Sequence, residues 1–191
     1  AALAIGLFKL KYPSHAWRQR ITFVVSTPQG EKVGSAVQAV EWTPNPIFKD
    51  GAAFHLTLKG EAVAVEIAPG RVLFALLDGP GGYEHIGFIA LYQFGGGQPG
   101  GGDYPWADSN FAAVRAARGA AATPLRPDLY PRLFTFRDIN DPTTVEQVDP
   151  ATFVPIGLRE TLEGGEIESE HRTATVAFVG YRGLDHVLAT E

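Results

Sequence analysis

Two runs rich in β-branched and aromatic residues, Arg20–Thr27 (RITFVVST) and Val33–Trp42 (VGSAVQAVEW), flank the turn PQGEK. Such side chains pack well on a pleated surface, and the intervening turn residues reverse the chain, so the pattern predicts an antiparallel hairpin. The theme recurs. Ala53–Leu58 (AFHLTL), Ala62–Ile67 (AVAVEI), Val72–Leu77 (VLFALL), Arg132–Arg137 (RLFTFR), Thr144–Val148, Leu158–Leu162 and Thr173–Val179 all read as short strands. Val72–Leu77 carries no polar residue and is expected to be buried on both faces. With 22 glycines and 14 prolines, loops should be numerous and helices short.

Phe111–Ala122 (FAAVRAARGAAA) is the best helix, capped by Asp108, Ser109 or Asn110 and ended by Thr123-Pro124, with an apolar face made mostly of alanine. Tyr83–Phe94 (YEHIGFIALYQF) fits either a strand or a short helix. TPNPIFKDG is a connection, and Asp149-Pro150 caps a brief helical turn through Phe153. The predicted fold class is mainly β (α+β): an antiparallel sheet or sandwich with one or two short helices. It occupies residues 12–191 as a single domain, with a Gly-rich loop at 95–102.

Composition removes several function classes. The net charge is −5 with cations scattered singly, so nothing resembles a face for a phosphate backbone, and nucleic acid is not an expected partner. The absence of cysteine excludes disulfides, thiolate catalysis and thiolate metal sites. Methionine is also absent, the initiator included, so sequence upstream of Ala1 is expected to be missing. The start Ala1–Phe8 (AALAIGLF) is uniformly apolar and is followed by Lys9 and Lys11. It is too short to span a bilayer, which needs about 20 helical residues, and residues 1–11 read as the remnant of an anchor or signal segment.

The polar constellations are few. Asp138, Asn140 and Asp141 form a D-x-N-D spacing, with Asp149 further on, and oxygen ligands of this kind suit Ca²⁺. An EF-hand loop would need a central glycine and a closing Glu, where this chain has Thr143 and Asp149. The simpler expectation is a run of Asx-turns. His15, His55, His85, His171 and His186 lack metal spacing, and His85 stands beside Glu84, a pairing with acid–base potential. Ser35 in VGSAV has one glycine of a nucleophile elbow but not the second, so it reads as a strand residue. GGGQPGGG lacks the G-K-[ST] of a phosphate loop. Tyr104 and Trp106 beside it, together with Trp17, are candidate partner contacts, because interfaces favour Tyr and Trp anchors.

Three stretches, YPSHAWRQRITFVVSTPQGEKVGSAVQAVEW, GEAVAVEIAPGRVLFALL and LFTFRDINDPTTVEQVDP, resemble a group of uncharacterised proteobacterial proteins with a short N-terminal membrane segment. The resemblance covers Tyr12–Trp42, Gly60–Leu77 and Leu133–Phe153, and FRDINDPTTVEQVDP looks like its hallmark. It implies a single-pass anchor followed by a compact non-cytoplasmic domain, on the periplasmic side of a bacterial inner membrane. The group brings no activity, so no catalytic residue is carried over. The expected function is that of a non-enzymatic accessory or interaction subunit of a membrane complex, with no cofactor, the membrane reached through the N-terminal segment, and a protein partner. The alternatives are a binding module for Ca²⁺ or a small ligand at Asp138–Asp149, and a hydrolase using His85 and Glu84.

Overall fold

The computed structural model describes residues 11–27, 29–45, 54–99, 105–150 and 173–180. The predicted hairpin is there and is longer than the β-rich runs alone suggest: β1 spans His15–Thr27 and β2 spans Gly30–Pro44, paired from His15↔Trp42 to Thr27↔Gly30. At about 3.3 Å per residue the hairpin reaches about 40 Å. Along β1 every second side chain from His15 to Val25 is buried, which fixes the register: a slip of one residue would turn this whole set to solvent.

β3 (Phe54–Lys59) continues the first sheet on the far side of β2, and β9 (Thr173–Gly180) pairs with the other edge of β1. With the two-residue β6 (Thr123–Pro124), the order of this sheet is β3-β2-β1-β9-β6. The second sheet has the order β4-β5-β7-β8, built from β4 (Val63–Ala68), β5 (Arg71–Ala75), β7 (Leu133–Phe136) and β8 (Val145–Val148). All pairings are antiparallel. Two helices complete the described chain, α1 (His85–Gly95) and α2 (Asp108–Ala116). The mainly β, α+β class expected from the sequence is the one observed.

A hairpin this long meets two different cores. Towards its tip, Ile21, Phe23 and Val25 pack with Val63, Val65, Leu73, Leu133 and Val148 between the sheets. Towards its open end, Trp17, Val40, Trp42 and Leu56 pack instead beneath the helices, against Ala90, Leu91, Phe111 and Val114. The chain changes sheets at Gly60, whose φ of 147° is open to glycine and costly for other residues. The strand that follows crosses β2 at Gly34, where a Cβ would overlap the Ala64 carbonyl and come within 2.7 Å of Val65 Cγ2.

Several local expectations need correction. Of the two readings of Tyr83–Phe94 the helix is the one observed, from His85 to Gly95, and it is buried nearly all round from His85 to Tyr92, which is why its sequence has no amphipathic stripe. The second helix begins at Asp108, three residues ahead of the expected Phe111, and ends at Ala116. No side chain caps it: Ala107 is the N-cap, and Asn110 bonds the Pro105 carbonyl instead (3.1 Å). Its buried face is Phe111, Val114 and Ala117, while the alanines at 112 and 116 are exposed. β5 is buried on one face only, through Leu73 and Ala75. Val72 and Phe74 on the other face are half-covered, Phe74 by an edge-on contact with Phe136 (5.9 Å between centroids). The readings of Leu158–Leu162, of the turn through Phe153 and of most of the connection TPNPIFKDG lie outside the described residues.

Candidate functional site

The acidic segment is a turn that satisfies itself. The Asp138 carboxylate accepts from the Asn140 backbone N–H (2.9 Å) and side-chain amide (3.2 Å). Asp141 Oδ1 accepts from the Thr143 N–H (2.9 Å) and hydroxyl (2.7 Å), which draws the Asp141 carboxyl below the usual carboxylate range. The Thr144 hydroxyl accepts from the Asp138 N–H (3.1 Å) and lies within donating distance of the Asp138 and Asp141 carbonyls (2.9 and 2.7 Å). A 3-10 turn over Pro142–Thr144 then delivers the chain into β8, and Arg137 bridges Glu146 at 2.8 Å across the hairpin.

Asp149 stands apart from that turn. Pairing in the β7–β8 hairpin runs from Phe136↔Val145 to Leu133↔Val148, so the turn lies at one end and Asp149 just beyond the other. The four residues of β8 separate them by about 13 Å, whereas ligands about 2.5 Å from one Ca²⁺ are at most about 5 Å apart. Asp138, Asn140, Asp141 and Asp149 are therefore not brought together as one ligand set. Among the described residues no group of three or more His, Asp or Glu side chains converges on a metal position.

His85 is the polar residue with the most specific environment. It opens α1 and has no exposed surface, contrary to a surface pairing with Glu84. Nδ1 accepts from the Gly81 N–H (3.1 Å), which places the ring proton on Nε2, where it donates to the Leu129 carbonyl (2.9 Å). Both nitrogens are thus committed to backbone. Burial holds its pKa below the ordinary imidazole value, partly opposed by the Leu129 bond and by Asp78 and Asp128. The loop before it supplies the N-terminal closure of α1: the His85 and Ile86 N–H groups donate to the Gly82 and Leu77 carbonyls (both 3.1 Å), in place of a side-chain cap.

The remaining candidates divide between core and surface. Trp17 is 3 % exposed and donates through Nε1 to Gln19 (3.0 Å), so it is a core residue and not a partner contact in this fold. Trp106 is half-buried against the core beneath the helices, and Tyr104 lies outside the described residues. Ser35 sits exposed in the middle of β2, and its neighbour Gly34 is explained by the strand crossing there. His55 is exposed on β3.

The sequence reading missed Gln19 and Gln38, which face each other across β1 and β2 and are both buried. Gln19 donates to the Ile86 carbonyl (2.8 Å) and Gln38 to the Glu61 carbonyl (3.1 Å). The signal was available, since both occupy the apolar parity of their strands. It also missed Arg126. That guanidinium donates to the Tyr92 and Gly97 carbonyls at the C-terminal end of α1 (3.1 and 2.8 Å) and pairs with Asp128 (2.6 Å), anchoring the start of the glycine-rich loop.

The class defined by these features is a β-rich domain of two antiparallel sheets and two short helices, in which buried Gln19 and His85 hold backbone of neighbouring segments and Gln38 Oε1 is buried with no hydrogen-bond partner. No family model matches the chain, and neither the curated proteins nor the solved structures give a match.

Proposed function

We propose that this domain is a non-enzymatic interaction module, an accessory subunit of a bacterial membrane complex that is tethered by its N-terminal segment and works on the periplasmic side. One observation carries the interaction reading: the outer face of the β1–β2 hairpin presents Val33 and Val37, 63 % and 40 % exposed, on either side of exposed Ser35. Register places Val24, Thr22 and Arg20 opposite them, giving two adjacent strands a strip of mostly β-branched side chains that ends at exposed Arg20. Exposed β-branched residues aligned in this way suit contact with another protein surface. Among the described residues no helix is long and apolar enough to cross a membrane, so tethering rests on the apolar run Ala1–Phe8 and on the resemblance noted above.

The test is site-specific photo-cross-linking in native membranes, with the reactive residue at Val33 or Val37 and, as a control, at exposed Ala112 on α2. The expected result is one discrete adduct from positions 33 and 37 in the membrane fraction and none from 112. Equal or absent adducts at all three positions would remove the interaction reading, and recovery of the full chain in the soluble fraction would remove the tether.

A further inference from the structure

His85 joins α1 to two other segments, the loop Asp78–Glu84 and the 3-10 turn Pro127–Leu129. The fit is close. A Cβ on Gly79 would come 2.6 Å from the ring Cγ, and one on Gly81 would come 3.0 Å from Nδ1, so the glycines of DGPGG wrap the imidazole with bare backbone. The Gly81 bond exists only while Nδ1 carries a lone pair.

We infer that His85 is an acid-released latch: in its neutral form it holds the loop Asp78–Glu84 closed over the start of α1, and on protonation it lets that loop open. A proton on Nδ1 sets two N–H donors against each other at the Gly81 contact and leaves a cation with no exposed surface. The charged groups around the ring give it no free counter-ion. Asp78 is engaged by Arg132 Nη1 (2.8 Å) and the Gly79 N–H (2.7 Å), and Asp128 by Arg126 (2.6 Å). Both carboxylates favour the cation, yet burial outweighs them and keeps the pKa low. Glu84, the residue before the ring, makes no cap bond to the helix.

The yielding part is the loop. α1 is buried along most of its length, whereas Pro80, Gly81, Gly82 and Tyr83 are exposed, Tyr83 by 80 %. Gly82, at φ 91°, closes the loop through paired backbone bonds with Gly79 (3.0 and 3.2 Å). Because the closed-state pKa is lowered, closure is strongest above the ordinary imidazole value of about 6.5. Below it, the open form binds a proton that the closed form excludes, and the open fraction rises by up to about tenfold per pH unit until the closed-state pKa is reached.

The experiment is amide hydrogen exchange of the full chain, read by mass spectrometry at about pH 7.5 and about pH 5.5 and corrected for the intrinsic pH dependence of exchange. The expected result is a loss of protection of up to about tenfold in peptides covering 78–86, with peptides from β1 and β2 unchanged and the effect absent in His85→Gln. Protection of 78–86 that is independent of pH would overturn the inference. So would a uniform loss across all peptides, which would signify global unfolding. If His85→Gln does not fold, the ring resonances of His85 in the unsubstituted protein decide: titration in step with the loop exchange upholds the latch, and titration without any change in the loop overturns it.

Discussion

Replacing Gly34 by alanine puts a methyl group where β4 crosses β2. The new Cβ overlaps the Ala64 carbonyl oxygen and stands 2.7 Å from Val65 Cγ2, inside the roughly 3 Å that real Cβ contacts respect. The obstructing atom is backbone, so a rotamer change cannot clear it, and the two sheets must separate or β2 must bend. Overpacking of this kind costs about 1–3 kcal/mol. Gly34 does not adopt a positive φ, so alanine recovers about 0.4–1 kcal/mol through the unfolded chain. The net loss is about 1–2 kcal/mol, which corresponds to a fall in Tm of about 2–8 °C for a chain of this size. Urea unfolding followed by tryptophan fluorescence measures it, since Trp17 and Trp42 are buried in the same hairpin. Ser35→Ala, one residue away and exposed, should stay within about 0.5 kcal/mol. If Gly34→Ala proved as mild as Ser35→Ala, the crossing of the sheets at this point would be wrong.

Two further outcomes follow from contacts that the sequence does not advertise. Arg126→Ala should destabilise the fold by about 1–2 kcal/mol, a value discounted because the side chain is 34 % exposed. It should also speed proteolytic cleavage near Gly95–Gly97, with Arg126→Lys giving little rescue because a point charge cannot reach Tyr92, Gly97 and Asp128 together; unchanged cleavage would contradict the anchoring role. Calcium should leave Tm unmoved in the unsubstituted chain and in Asp149→Ala. A gain approaching about 2.7 kcal/mol at a hundredfold excess over Kd would instead show that Asp138 and Asp141 hold a cation despite their internal bonds.

Local regularities carried the fold class. Alternation in β1 and β4 survives into the structure because one face of each strand is buried and the pleat has period two. The turn FRDINDP was legible for a similar reason, since Asp and Asn bond backbone groups two residues on wherever they occur. Contacts between distant segments were not legible. Nothing near Gly34 announces β4, and nothing near His85 announces that its ring will reach the Leu129 carbonyl. The placing of α1 on the first sheet was not legible either, because it is set by Gly87, where Leu56 Cδ2 on β3 comes within 2.5 Å of a notional Cβ, and by Trp42 on β2, which donates to the Gly87 carbonyl (3.4 Å).

The division of the hairpin into two cores accounts for where its polar residues went. The two cores meet near Gln19 and Gln38, between Ile21 on one side and Trp17 on the other, and α1 packs into both, through Ile86, Ile89 and Tyr92 in one and Ala90 and Leu91 in the other. An amide suits that boundary because it serves both neighbours. Gln19 accepts the Trp17 indole N–H and donates to the first turn of α1, while Gln38 fastens the bend where β3 passes into β4. His85 does for the adjoining loop what the glutamines do for the strands. Gln19 is engaged at both ends of its amide and His85 at both ring nitrogens, whereas Gln38 donates through its amide nitrogen and its Oε1 is buried with no hydrogen-bond partner. On the outer face of the hairpin Val33, Ser35 and Val37 stay exposed, with exposed Arg20 opposite Val37 on β1. The proposed interaction rests on that exposed strip, and cross-linking at positions 33 and 37 is what tests it.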